Sequence, residues 1–317
     1  MSALPFVFAG ESVPPATRSQ VEVPVGRLPS GTEMPLRVEV LHGARPGPTI
    51  FLSGAIHGDE IVGVEIIRQL LERVDERAMS GTLIALPVVN VFGFVAESRY
   101  LPDRRDLNRS FPGSARGPLA GRLARIFIDE VVSKSDFGID FHAGSDDRIN
   151  LPQIRGNLDD PETRRLAYAF SPPLVVHSKT ISGSLREAAR KLGKRVLLFE
   201  GGEPRRFSPR AVEAGVGGAL RTLAALEMTT INDPKPTTPP AESRSTRWVR
   251  APHGGIFRLG VKLGSRVTKG DVLGIISGPM GREAHDVRAR LSGMIMGHAV
   301  NPLVHQGDGL VHIAEIE

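Results

Sequence analysis

Hydrophobic and polar positions alternate in blocks through the first 228 residues. Short apolar runs bounded by turn residues predict buried strands at 37–42 ("RVEVLH"), 49–55 ("TIFLSGA"), 82–90 ("TLIALPVVN"), 137–144 ("FGIDFHAG"), 174–178 ("LVVHS") and 195–202 ("RVLLFEGG"). Between these runs, apolar residues recur at helical spacing. In 60–78 they are Ile61, Val64, Ile67, Leu71 and Val74, and a similar period predicts helices over 118–135, 184–193 and 208–228. Strands interleaved with helices predict an α/β fold.

The period stops at "TTINDPKPTTPPAESRSTR" (229–247), which is rich in Pro, Thr and Ser and almost free of apolar residues. Such a stretch reads as a linker. The chain therefore divides into a domain over 1–228, a linker over 229–245 and a smaller domain over 246–317. The tail repeats itself, with 251–277 parallel to 289–315. Val267, Gly270 and Asp271 match Val304, Gly307 and Asp308 at an offset of 37 (304 − 267). Two matching strand–turn modules predict a small pseudo-symmetric β domain. It resembles the biotinyl/lipoyl-type barrel sandwich, whose members carry a cofactor on a hairpin lysine. The corresponding stretch here, "RARLSGMIMG", has no lysine, so covalent biotin or lipoyl is not expected. The expected role is an appendage that packs on the first domain, edges its cleft or mediates assembly.

Composition narrows the class. A chain of 317 residues can bury one large core and a smaller one. Hydrophobic residues at 40% and charged residues at 24% are ordinary for a soluble globular protein. No apolar run reaches the ~20 residues of a membrane span. The start, "MSALPFVFAGESVPPATRS", lacks a basic segment ahead of its short apolar run, so no secretory signal is expected. Zero cysteines remove disulfides and thiolate ligands and fit a reducing compartment; the expected location is the cytoplasm. Lys and Arg total 40 against 35 Asp and Glu, but the excess is spread along the chain. Nucleic-acid and membrane partners are therefore not expected, and the bias serves at most to draw in a small anionic substrate.

Candidate chemistry sits where strands end. His57 follows "TIFLSGAI", His142 closes "FGIDFH" and Glu200 follows "RVLLF"; the carboxyl ends of strands line the ligand crevice in open α/β sheets. Two histidines with one glutamate are an attested zinc set that leaves a position for water. His57 and Glu60, three apart in "HGDE", offer two of these ligands, and His142 on a distant strand offers the third. Gly54 and Gly58 would let the backbone turn tightly around an ion. Taken alone, so short a pattern reads first as a helix N-terminus and an interior histidine. "DLNR" sets Asn108 beside Arg109, a pair suited to gripping a carboxylate or to a surface turn. Asp140 shares a strand face with His142 and suits either its orientation or a capping role. His42, His177 and His253 lack partners at metal spacing, and the period of seven in His298, His305 and His312 does not gather them on one strand face.

The series H-G-D-E (57–60), R-Y-L…D-L-N-R (99–109), D-F-H (140–142) and F-E-G-G (199–202) resembles the succinylglutamate desuccinylase/aspartoacylase family, part of the wider zinc carboxypeptidase superfamily. The resemblance covers nearly the whole chain. It implies a mixed-sheet, zinc-carboxypeptidase-like catalytic domain joined to a smaller all-β, barrel-sandwich-like C-terminal domain. It also implies one Zn2+ per chain on His57, Glu60 and His142, with Glu200 as general base and acid. By the same resemblance Arg99 polarises the scissile carbonyl, Asn108 and Arg109 hold the substrate carboxylate, and Arg186 lies where relatives can carry another substrate-binding arginine. The loop between Arg99 and Asn108 is longer than in the best-known members, which leaves Arg104 and Arg105 as rivals for the oxyanion role.

The expected activity is hydrolysis of the amide bond of an N-acyl amino acid or related small carboxylate. One alternative is a metallocarboxypeptidase that uses the same Asn–Arg clamp on short peptides. The portion before the linker is short for that class. A second is a non-catalytic binding or assembly protein built on the β appendage, with homo-oligomer formation open to it. An intact ligand set beside Glu200 weighs against this one.

Overall fold

The computed structural model describes residues 3–230, 236–281 and 283–316. A short hairpin, β1 (Phe6–Phe8) and β2 (Glu11–Val13), precedes three long strands, β3 (Thr17–Arg27), β4 (Glu33–His42) and β5 (Arg45–Gly54). Then come α1 (Val62–Leu71), β6 (Ser80–Leu86), α2 (Val91–Val95), a 3₁₀ turn at Leu107–Arg109 and α3 (Leu119–Phe127), which runs on as a π turn over Ile128–Val132. β7 (Phe137–His142), β8 (Arg148–Gly156), α4 (Pro161–Phe170), β9 (Leu174–His177), α5 (Leu185–Lys191), β10 (Arg195–Gly202) and α6 (Pro209–Ala225) complete this portion. The described residues beyond it form only strands: β11 (Ala241–Ser243), β12 (Ser245–Arg250), β13 (Gly255–Leu259), β14 (Arg266–Val267), β15 (Val272–Ser277), β16 (His285–Arg288), β17 (Gly293–Ala299), β18 (Leu303–Val304) and β19 (Gly309–Glu315).

The main sheet runs β12-β19-β17-β8-β10-β7-β5-β6-β4-β3. Its centre, β10-β7-β5-β6, is parallel, and β8 and β4 join on either side in antiparallel sense. The strands predicted at this centre therefore read as apolar runs because both their faces are covered. On one face α1, α4 and α6 pack a core that includes Ile66, Phe141, Phe170, Phe199 and Leu220; on the other, α3 and α5 enclose Phe51, Leu123, Phe127 and Leu185. Parallel strands deliver their carboxyl ends to one edge of the sheet. There β7 and β10 run in register, His142 opposite Glu200, and Gly54 at the end of β5 lies opposite Phe141.

Two local expectations are corrected. The helix expected over 60–78 is α1, Val62–Leu71. Glu60 precedes it, in a turn whose backbone N–H donates to the His57 carbonyl at 3.1 Å. The chain leaves the helix early because β6 must begin at Ser80. The buried face is also rotated from the predicted one, to Val62, Ile66, Ile67 and Leu70, since α1 is sandwiched between the sheet and α6. The second correction concerns the stretch 229–245 read as a linker. Residues 231–235 lie outside the described residues, but Ala241–Ser243 form β11, which pairs in parallel with β9.

The repeat in the tail appears as three matched strands, β13-β14-β15 against β17-β18-β19; β14 at Arg266–Val267 and β18 at Leu303–Val304 stand 37 apart. β13, β15, β16 and β18 make a separate four-stranded sheet. β12, β17 and β19 instead extend the main sheet through β8. Phe257, Leu273, Ile276, Ile295 and Val311 fill the space between the two groups.

Candidate active site

The histidine-bearing turn is built by close backbone approach. Gly54 and Gly58, expected to supply a tight turn, do not take the left-handed conformation. A side chain on Gly58 would instead meet the Gly93 carbonyl carbon at 2.0 Å, and one on Gly63 would meet Phe141 Cβ at 2.7 Å. Glycine at these positions lets the turn press against α2 and the start of α1 press against β7. Ala55, between β5 and this turn, carries the positive φ (47°), a conformation that costs free energy and must be held by its surroundings.

This geometry brings three buried side chains together. His57, Glu60 and His142 each offer a ligand atom, all within 4.8 Å of one another. Glu60 bridges the histidines, with Oε1 2.7 Å from His57 Nδ1 and Oε2 2.8 Å from His142 Nδ1. The far nitrogens are held by other carboxylates: His142 Nε2 lies 2.8 Å from Asp140 Oδ2 and His57 Nε2 3.2 Å from Asp106 Oδ1. Burial alone would push the Glu60 carboxyl up, but the two imidazoles hold it well below the usual range. Two imidazoles and a carboxylate, each imidazole backed by an acid on its other nitrogen, fit a divalent metal of the zinc type.

The cavity beside the triad has a volume of about 260 Å³. Glu200 lines it and accepts a 2.8 Å hydrogen bond from Asn150 Nδ2. Burial raises the Glu200 carboxyl above its ordinary range, against the pull of the Arg155 charge. Arg99 reaches in from the loop after α2. Its Nη1 donates to Glu60 Oε1 at 3.1 Å and its Nη2 to Asp106 Oδ2 at 2.8 Å.

Asn108 and Arg109 line the same cavity from the 3₁₀ turn. Asp106 caps that turn by accepting from the Asn108 backbone N–H at 2.8 Å. Asn108 Oδ1 accepts from the Leu185 backbone N–H at 2.9 Å, so its NH2 group is the one left for the cavity. Arg186, on α5, lines the cavity too; its Nη2 donates to the Ser178 carbonyl at 2.8 Å. Burial, with the neighbouring Arg155 charge, lowers its pKa to about 10. Arg104 and Arg105 do not line the cavity, and Arg105 turns outward to Asp103.

Several lining residues carried no sequence signal: Arg148, Asn150 and Arg155 on β8, Trp248 on β12 and His312 on β19. Trp248 and His312 stack with ring centroids 4.5 Å apart, and Arg148 lies over the Trp248 ring. The C-terminal strands thus supply one wall of the cavity. His312 belongs with a tryptophan and two arginines, apart from His298 and His305. His42, which lacks partners at metal spacing, is buried between Thr82 and the Leu4 carbonyl.

The catalytic-domain profile of the succinylglutamate desuccinylase/aspartoacylase family matches residues 46–226. The chain is 28% identical over 283 residues to N-alpha-acetyl-L-2,4-diaminobutyric acid deacetylase of Halomonas elongata, covering 85% of this chain and 83% of that one. Its structure is similar to a succinylglutamate desuccinylase/aspartoacylase from Rhodobacter sphaeroides, with a TM-score of 0.84 at 25% identity over 95% of this chain and 96% of that one. The fold is shared with the product-bound ectoine utilization protein EutE from Ruegeria pomeroyi, with a TM-score of 0.84 at 24% identity over 93% of this chain and 94% of the other.

Proposed function

This chain belongs to the succinylglutamate desuccinylase/aspartoacylase family, and from that premise we propose that it is a zinc-dependent hydrolase of the amide bond of N-acyl amino acids. One observation carries the proposal: His57, Glu60 and His142 converge beside Glu200 in a small cavity that Asn108 and Arg109 also line. The name of the Halomonas relative, a deacetylase of an N-acetyl amino acid, supports the substrate class. A cavity of about 260 Å³ suits a small acyl amino acid better than a peptide.

His57, Glu60 and His142 would hold one zinc ion per chain. Bound there, zinc would supply Lewis acidity and bring the pKa of water down to about 7. Glu200 takes a proton from the attacking water and returns it to the departing amine. Its raised pKa suits both halves of that task. Arg99 donates to the acyl oxygen as negative charge develops there, a contribution typically worth about 3–4 kcal/mol. Asn108, through its amide NH2, and Arg109, through its guanidinium, fix the substrate carboxylate and so orient the scissile bond.

Among the described residues no helix is long and apolar enough to cross a membrane, and the absence of cysteine supports a cytoplasmic setting. The test is a hydrolysis screen of zinc-loaded protein with N-acyl amino acids beside dipeptides and tripeptides. Amine release from the acyl amino acids is expected. Cleavage of peptides alone would favour a carboxypeptidase, and turnover of neither would favour a binding protein.

A further inference from the structure

The amide that holds Glu200 sits between two glycines. Asn150, on β8, pairs with Gly202 of β10 on one side and with Gly297 of β17 on the other. Neither neighbour has a side chain, so the Asn150 amide lies in a slot and can lean towards Glu200, where Nδ2 donates to Oε2 at 2.8 Å. The slot is narrow. A Cβ on Gly297 would stand 2.8 Å from Asn150 Oδ1 and 3.0 Å from the Ile149 carbonyl oxygen, both inside an ordinary contact distance of about 3.5 Å.

The same row of paired residues continues into the tail. Gly297 pairs with His312 on β19, and His312 with Trp248 on β12. Residues paired across strands project from one face of a sheet, and Asn150, His312 and Trp248 all line the cavity. The row therefore runs from β12, at the end of the main sheet, to the strand beside Glu200. Gly297 is the one gap in its tail portion, and that gap adjoins Asn150. Asn150 is buried, and a hydrogen bond to a carboxylate is about twice as strong as one between neutral groups.

We propose that Asn150 is a positioning residue for Glu200, and that the tail keeps Asn150 in place through the bare backbone of Gly297. The tail then acts on the proton-transfer step as well as walling the cavity. This inference rests on the deacylase reading, in which Glu200 moves the proton. With Oε2 fixed by Asn150, Oε1 is the oxygen left for that proton. A carboxylate free to rotate would spend part of its time misaimed, which lowers the rate and leaves substrate affinity alone.

The experiment measures kcat and KM of the zinc-loaded full chain on the N-acyl amino acid it turns over fastest. Asn150→Ala and the gentler Asn150→Ser should each lower kcat about tenfold or more, with KM within about twofold of native and zinc content unchanged. Gly297→Ala should lower kcat in the native background and add no further loss in the Asn150→Ala background, where the added methyl has no amide to displace. A raised KM at native kcat would make Asn150 a substrate contact and overturn the proposal, as would native kinetics in both Asn150 variants. A Gly297→Ala loss that persists undiminished beside Asn150→Ala would remove the tail's share, because the methyl would then be displacing the β8 backbone at Ile149. NMR of protein labelled with 15N-asparagine reads the contact without turnover. The Asn150 side-chain amide signal, assigned by its loss in Asn150→Ala, should move in Glu200→Gln and in Gly297→Ala. Movement in both with no compound hydrolysed keeps the positioning contact and defeats the deacylase reading instead. A signal that stays put in Glu200→Gln would deny the contact, and one that stays put in Gly297→Ala would deny the part given to the tail.

Discussion

Asp140 and His142 stand two residues apart on β7, joined by a 2.8 Å hydrogen bond from His142 Nε2 to Asp140 Oδ2. Ser53 Oγ donates to the other Asp140 oxygen at 2.8 Å, so the carboxylate is fixed on both sides. With Nε2 committed to Asp140, Nδ1 is the nitrogen that points to Glu60 and the site, 2.8 Å from Glu60 Oε2, and is the one a metal ion would take. Asp106 stands in the same relation to His57. The metal affinity expected here therefore depends on two acids that are not themselves ligands.

Asp140→Asn tests that dependence. The amide can present an N–H where the imidazole needs an acceptor, so zinc affinity should fall about 10–100-fold at unchanged stoichiometry. A chelator competition titration measures it. Unchanged affinity would mean that Glu60 alone orients His142.

Removal of a ligand should be more severe. His57→Ala and His142→Ala each leave two protein ligands, too few for a site of this kind, and zinc should be lost on dialysis. Elemental analysis of the purified variants is the check. A full zinc complement in His142→Ala would refute the three-ligand assignment.

Glu200→Gln separates chemistry from metal binding. The amide keeps the shape and can still meet Asn150, but it cannot take a proton. Zinc content should be unchanged while kcat falls about 10²–10⁴-fold. Near-full activity would transfer the role of base to another residue.

Much of this architecture was legible in the sequence, for identifiable reasons. The central strands β5, β7 and β10 are covered on both faces, so each is an uninterrupted apolar run, and the polar residues that end them mark the site. The 37-residue offset exposed the two strand–turn modules of the tail because both copies kept the Val-x-x-Gly-Asp turn. β8 escaped notice, since "RINLPQIRG" mixes apolar positions with Pro152 and two arginines. Those arginines line the cavity, so the apolar pattern is broken there. β3 was missed as an alternating strand at the far end of the main sheet. Trp248 and His312 could not be found from spacing, because only folding brings β12 and β19 alongside β8.

Arg109→Lys tests the carboxylate clamp. Lysine keeps the charge but loses the two-pronged guanidinium, and hydrogen bonds to charged groups are worth roughly 1.5–3 kcal/mol. The value of kcat/KM should drop about tenfold or more for N-acyl amino acids with a free carboxylate, and much less for their carboxamide counterparts. Equal losses on acid and amide would place the carboxylate elsewhere in the cavity.

His312 gives the cavity wall a signature in the pH dependence of stability. Burial, followed by the charges of Arg155 and Arg148, pushes its pKa down to about 3, against about 6.5 in an unfolded chain. Below pH 6.5 the unfolded state therefore takes up a proton that the folded state refuses. The sign follows: this group leaves stability unaffected above pH 6.5 and erodes it as pH falls from there towards 3. Between pH 7 and pH 5 the loss amounts to about 2 kcal/mol. His312→Phe removes the titration and keeps an aromatic ring against Trp248, where the native rings lie 14° from parallel. Urea unfolding of both proteins at pH 7 and pH 5 isolates the effect, because other titrating groups contribute equally to each. The native chain should lose about 2 kcal/mol more than the variant over that interval. Equal losses would mean that His312 accepts a proton in the folded state, and that the wall formed by the C-terminal strands opens to water.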